Sequence, residues 1–332
     1  MLAGPAQADC YRIATFSAPL SRDGPGLLLR DIQRGEDPQI AAIADIVAHV
    51  APDVLVLTDF DYDRGNMALR SFADLFDPAY PHIFALRPNA GLATGLDLDA
   101  NGRLGDARDA QGYGRFAGDG GLAILSRVAI GADQVIDFSD MLWRDLPGAT
   151  LPLMNGAPFL SADAQNILRL SSTGHWIVPI MPSDAPPFSL MVYAATPPVF
   201  DGPEDMNGLR NRDELRLWEG VLAGTYGPVP ERFVIAGNAN LDPNGGAGYP
   251  GAMAAFLQNP QLQDPLPDQP TADWPEDGPG DLRVSYVLPS ADWTVTDAGV
   301  FWPAPEDPYR ALLGDDGLAA GAHRLVWVDI AR

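Results

Sequence analysis

The stretch that most constrains this chain is Phe233 to Pro243, Phe-Val-Ile-Ala-Gly-Asn-Ala-Asn-Leu-Asp-Pro. Four consecutive apolar residues read as a strand buried on both faces, and the Gly that follows lets the backbone turn. Comparable runs occur at Val54–Leu57, Gly121–Ser126 and Phe188–Tyr193. Asn238 and Asn240 stand where the strand runs out. In α/β proteins that end of a strand faces the ligand crevice. Asn and Gly are also ordinary turn formers, so the pair reads equally as turn chemistry.

Further β-type segments are expected at Tyr11–Phe16, His82–Leu86, from Arg127 up to Phe138, at Asn166–Leu170 and at His175–Ile180. Others follow at Leu282–Leu288, Trp293–Val300 and Arg324–Ile330. Helical spacing predicts helices at Ile40–Val50, near Met67–Leu75, at Asn211–Leu222 with Asn211 as N-cap, and near Ala252–Leu257. Asp140–Gln165 reads as irregular, and the lone His175 beside Trp176 as a packed histidine. Many strands and few helices favour an α/β sandwich of two sheets over a Rossmann or barrel fold. No phosphate loop or dinucleotide fingerprint is present. No linker or repeat divides the chain, so residues 9–332 are expected to form a single domain.

Charge narrows the partners. The chain carries 44 acidic and 21 basic residues, all of the latter Arg, for a formal net charge of −23. Such a surface repels polyanions, so a nucleic-acid partner is not expected. Beyond that the sequence points to no partner. The single cysteine, Cys10, excludes an intramolecular disulfide. No apolar run reaches membrane-spanning length. Ala6-Gln7-Ala8 matches a signal-peptidase site, although the charged and apolar regions that should precede it are missing. Residues 1–8 read either as a remnant of a signal peptide, with a periplasmic or secreted location expected, or as an ordinary ragged terminus.

Two acidic stretches have the chemistry of metal ligands. In Thr58-Asp59-Phe60-Asp61-Tyr62-Asp63 three carboxylates alternate, and an extended backbone would turn Asp59, Asp61 and Asp63 to one face. A solvated acidic loop is the other reading. In Asp97-Leu-Asp-Ala-Asn-Gly, Asp97, Asp99, Asn101 and Gly102 match positions one, three, five and six of a Ca2+ loop, but Arg108 holds the twelfth position in place of a bidentate Glu. An Asx-rich turn would use the same residues.

Several strand ends taken together resemble the endonuclease/exonuclease/phosphatase superfamily, in particular an exported bacterial branch. The resemblance rests on Arg12–Phe16, Pro52–Leu57 with Asp59–Asp63, Gly121–Arg127, Thr196–Asp205, Phe233–Pro243, Leu282–Pro289 and His323–Asp329. These run in the family's order over nearly the whole chain. The resemblance implies an α/β four-layer sandwich of two mixed β-sheets flanked by helices. It also implies a Mg2+-dependent phosphodiesterase or phosphomonoesterase, in which an Asp orients or deprotonates water and a pair of His stabilises the transition state.

Carried over position by position, most of that machinery is replaced. The family's Asn after the first strand is Ser17, and its metal-binding Glu is Asp59. The first His of His-x-Thr-Pro-Pro is Ala194, and the Asp of Gly-Asp-x-Asn is Asn238, while Asn240 is retained. The Asp before Tyr286 is Ser285. The Asp of the terminal Ser-Asp-His is Ala322, and His323 remains. The resemblance therefore implies a catalytically degenerate homologue acting as a binding or structural protein. The alternative is a residual Mg2+-dependent phosphoric ester hydrolase in which Asp59, Asp61 and Asp63 hold the metal and Asn240 and His323 contact phosphate.

Overall fold

The computed structural model describes residues 10–275 and 278–332, so the expected signal-peptide remnant lies outside the described residues. The chain opens with β1 (Cys10–Phe16), α1 (Leu27–Arg34), α2 (Pro38–Val50), β2 (Val54–Phe60), α3 (Met67–Ala73) and β3 (His82–Phe84). The unforeseen α1 is bracketed by Gly26 and Gly35, both at positive φ. Helix α2 starts where Asp37 accepts from Gln39 N and Ile40 N and Pro38 presets the first turn.

The middle of the chain contains β4 (Gly121–Ser126), β5 (Ala129–Ile130), β6 (Ile136–Asp137), a small hairpin of β7 (Leu153–Met154) with β8 (Ala157–Pro158), and α4 (Ala162–Ile167). Two expectations fail here. The strand running to Phe138 is broken by a short 3-10 turn at Ala132–Gln134, leaving β5 and β6 as separate fragments. Asn166–Leu170 is not a strand, because the Ser161 hydroxyl accepts from Ala164 N and starts α4.

Next come β9 (His175–Met181), β10 (Phe188–Ala194), α5 (Met206–Leu222), β11 (Phe233–Asn238) and α6 (Pro250–Leu257). The chain ends with β12 (Ala272–Asp273), β13 (Asp281–Leu282), β14 (Ser285–Pro289), β15 (Thr294–Val300) and β16 (Val326–Ala331). Helix α5 begins five residues ahead of Asn211. That side chain is not an N-cap but is buried, and its amide donates to Thr196 O and Ala239 O, 2.8 Å each. His175 is packed as expected, between Ser171 Oγ at 2.6 Å and Glu214 O at 3.1 Å.

Two six-stranded mixed sheets result. One has the order β15-β16-β1-β2-β4-β3, and the other β14-β11-β10-β9-β5 with β6 paired to β9. In each sheet the two central strands, β1 with β2 and β10 with β11, run parallel and antiparallel strands flank them. Alternation explains the continuous apolar runs. Val54 and Val56 of β2, and Leu190 and Val192 of β10, meet in the core between the sheets. Leu55 and Leu57 turn outward to α1, α2 and α3, while Met191 and Tyr193 turn outward to α5 and α6. The four layers expected from the sequence are present.

Candidate active site

The inward face of each central strand loses its apolar character at one end. Val234 and Ala236 of β11 lie in the inter-sheet core, and the same alternation sends Asn238 to that side. Register then places Ala194 of β10 on one flank of Asn238 and Ser285 of β14 on the other. The Asn238 amide donates to Ser17 Oγ at 3.2 Å, across from one sheet to the other. Its Oδ1 accepts Asn240 N at 3.0 Å, and Asn240 Nδ2 donates to Ala195 O at 2.8 Å. Asn238 is still strand. The turn comes at Asn240, whose φ of 49° is left-handed. The structure thus brings together buried Ser17, Ala194, Asn238 and Ser285 with half-buried Asn240 as a row of hydroxyl, methyl and amide groups. The hydroxyls of Thr15, Thr58 and Ser285 are buried with no hydrogen-bond partner among the described residues.

Ala322 and His323 reach this end of the molecule through short backbone links. Ala322 O accepts Asp273 N at 2.9 Å, and His323 bridges to Ala272. The His323 ring packs edge-on against Trp274, with centroids 5.1 Å apart, and its Nδ1 is buried without a partner among the described residues. Burial, reinforced by Arg324, pulls its pKa down to about 4, so the imidazole is neutral near pH 7.

The three alternating carboxylates do not share a face. Strand β2 leaves extended geometry at Asp59, whose φ is 74°. Asp63 is turned onto α3 and accepts Met67 N at 2.8 Å and Ala68 N at 2.7 Å. Its place beside Asp59 and Asp61 is taken by Asp119, which sequence reasoning passed over although it directly precedes Gly120 and the predicted strand. Asp61 accepts from Arg22 N and Gly120 N, and Asp119 from Ser21 Oγ and Arg115 N. The Asp59 carboxylate has no hydrogen-bond donor among the described residues. Desolvation, with Asp119 and Asp61 adding like charge, raises its pKa to about 8; burial raises Asp61 to about 6.

These donors do not fit a hard divalent ion. Asp63 caps α3 and is turned away from Asp59 and Asp61. Among the described residues, no three His, Cys, Asp or Glu ligand atoms at this end lie within 4.8 Å of one another. The one such group is Asp97, Asp99 and Asp109, in the loop ahead of β4. Asn101, expected as a ligand there, has its Oδ1 occupied by Arg103 N and its amide donating to Asp99 and Asp106. Asp109 comes in instead, one residue past the position where a Ca2+ loop places its Glu. It is held by Leu98 N and Gly105 N.

Behind the row, Glu214 of α5 fixes the segment that follows β10. It accepts Thr196 N at 2.7 Å, and both Ser172 N and Ser172 Oγ. It is fully buried, and desolvation raises its pKa to about 7 against the pull of Arg210.

Comparison with known proteins agrees with this architecture. A family model described as "Endonuclease/Exonuclease/phosphatase family" matches residues 32–315. Among solved structures, an endonuclease/exonuclease/phosphatase from Beutenbergia cavernae aligns with a TM-score of 0.57 and 17% identity, covering 97% of this chain and 71% of that one. Sphingomyelinase C from Streptomyces griseocarneus aligns with a TM-score of 0.52 and 14% identity, over 98% of this chain and 100% of that one. Beta toxin from Staphylococcus aureus, solved with bound magnesium ions, gives 0.51 and 10% over 96% and 99%. No curated protein matches the chain significantly.

Proposed function

This chain belongs to the endonuclease/exonuclease/phosphatase family, and from that premise we propose that it is a lapsed phosphoesterase retained as a binding protein. The observation that carries the reading is the row Ala194, Asn238, Ser285, in register on three neighbouring strands. The family resemblance puts an imidazole and two carboxylates there, and the row holds no ionisable group. An amide cannot take a proton from water near neutral pH. Losing one general base or one electrostatic stabiliser typically costs about 2–4 orders of magnitude in rate. Such losses do not multiply, but here the base, one His and two further carboxylates of the family pattern are replaced together, at Asn238, Ala194, Ser285 and Ala322. His323, neutral and with Nδ1 sealed, offers no cation for a developing negative charge.

Purified protein with Mg2+, Mn2+ or Ca2+ is expected to leave bis-p-nitrophenyl phosphate, plasmid DNA and phosphomonoesters intact. Turnover that persists through purification and disappears in His323→Ala would overturn the reading. The converse experiment restores the row in one protein: Ala194→His, Asn238→Asp, Ser285→Asp and Ala322→Asp. Phosphodiesterase activity in that variant would support the lapsed-enzyme reading. The competing reading, with metal on Asp59, Asp61 and Asp63 and phosphate on Asn240 and His323, requires Mg2+ or Mn2+ binding by calorimetry that Asp59→Ala removes.

The carboxylates of Asp97, Asp99 and Asp109 favour a separate role for Ca2+ as a structural ion in the loop before β4. Hard cations take clustered oxygen ligands, and an ion that binds only the folded state adds about 2.7 kcal/mol at a hundred times its Kd. Millimolar Ca2+ should raise the melting temperature of the wild type but not of Asp97→Ala/Asp99→Ala. An unchanged wild type would dismiss this role.

A further inference from the structure

We propose that the cavity between the Asp97–Asp109 loop and the segment from Thr196 to Asn207 binds an apolar ligand carrying a single negative charge, which Arg210 receives. This deepens the binding reading above by naming a ligand class. Thr196 lines the cavity, and none of the side chains of Ala194, Asn238 and Ser285 does.

The cavity has a volume of about 430 Å³, within the range of small-molecule sites. Leu98, Ala110, Phe159, Val199 and Met206 give it a mostly apolar wall. Two aromatic rings stand open at its rim, Phe200 at 76% exposure and Tyr113 at 65%. Phe200 has a φ of 70°, a backbone state that bulky side chains rarely adopt. A lone exposed aromatic is ordinary, but two beside an apolar cavity are what a ligand would cover.

Arg210 supplies the polar end. The residue is only 4% exposed, yet it lines the cavity. Its Nε donates to Leu170 O at 2.8 Å, and its Nη2 is shared among Gln111 O at 2.5 Å, Arg169 O at 2.7 Å and Ser171 O at 3.3 Å. Its Nη1 has no acceptor among the described residues, and it is not one of the sealed orphan atoms. Nor does any described carboxylate lie within ion-pair distance. Glu214, the nearest source of negative charge, spends both oxygens on Ser172 and Thr196. Guanidinium stays charged in proteins, and buried charges are normally paired. The carbonyls orient this one and leave a donor for an incoming anion, a contact stronger than a neutral hydrogen bond.

The mouth sets the charge limit. Asp99, Asp201 and Glu204 surround it against one cation, Arg108. The acids disfavour polyanions, so the ligand is a monoanion whose affinity comes mainly from its apolar body. A cationic amphiphile drawn to the rim acids is the opposing outcome.

The test uses the full chain and the fluorescent probe 1-anilinonaphthalene-8-sulfonate, displaced by three C12 competitors below their micellar concentrations: laurate, dodecanol and dodecyltrimethylammonium. The expected result is one-site probe binding that laurate displaces at a concentration at least about tenfold lower than the other two, as loss of one charged hydrogen bond implies. Val199→Trp, in a partly exposed loop, puts bulk into the cavity and leaves Arg210 itself unaltered. It should lose probe and laurate together while its circular dichroism and melting temperature stay unchanged. Arg210→Gln, where folded, should bring laurate down to the level of dodecanol. Absence of probe binding, equal or tighter binding of dodecanol or the ammonium, or wild-type binding by Val199→Trp would each overturn the proposal. The two readings fail separately: phosphodiester turnover removes the lapsed enzyme without altering displacement, and lost displacement removes this ligand without restoring turnover.

Discussion

Asn238 and Asp59 show how one atom changes what a strand end can do. Replacing a carboxylate oxygen by an amide nitrogen at 238 turns an acceptor into a donor, and the side chain spends it on Ser17 Oγ. That substitution was legible once the resemblance fixed the register. The fate of Asp59 was not, because its left-handed backbone and the arrival of Asp119 depend on how the 115–120 loop closes. Asp59 yields a pH prediction. Its folded pKa, raised to about 8 first by desolvation and then by Asp119 and Asp61, means that the folded state holds a proton that the unfolded state releases near pH 4. Its contribution is therefore most favourable below about pH 4 and is lost as pH rises through 8. Asp59→Asn removes the titration. The variant should melt with the wild type near pH 4 and above it at pH 8, with the gap opening steadily between; a gap independent of pH would refute the assignment.

Among the elements, β11 depends on a single glycine. Gly237 has a φ of 156°, and a Cβ there would lie 2.0 Å from Tyr193 O of the parallel neighbour β10. Backbone cannot retreat from such a contact without disturbing the pairing that aligns Ala194 with Asn238. Gly237→Ala should lower stability by about 3 kcal/mol, measured as a shift of the urea midpoint. Gly245→Ala, where the new methyl meets nothing within 4 Å, serves as the control. The strands buried on both faces were readable as continuous apolar runs. The errors fell where a local polar side chain decides: Ser161 starting a helix in place of a strand, and Asn211 serving two distant carbonyls rather than a cap. Asp63 is the third case, since a carboxylate beside a helix N-terminus competes with any metal for its own oxygens.

At the scale of the molecule, the formal charge of −23 opposes compaction through self-repulsion, which salt screens. Raising NaCl from 0.05 to 0.5 M should increase the melting temperature by a few degrees; a flat or falling profile would mean that the local Arg–Asp pairs, such as Arg12 with Asp329 at 2.7 Å, outweigh the net repulsion. The sequence alone determined the α/β class, because many strands with mixed continuous and alternating apolar runs and few helices favour two packed sheets, and the family resemblance added the flanking helical layers. It also determined which side chains stand at the strand ends, a methyl at 194, an amide at 238 and a hydroxyl at 285, because residue identity needs no coordinates. Only the tertiary structure decided which groups meet. Asp119 beside Asp59, Asp109 beside Asp97, and Arg210 beneath an apolar cavity are joined by loops and helices whose closure depends on long-range packing. That packing leaves no periodic mark on the chain.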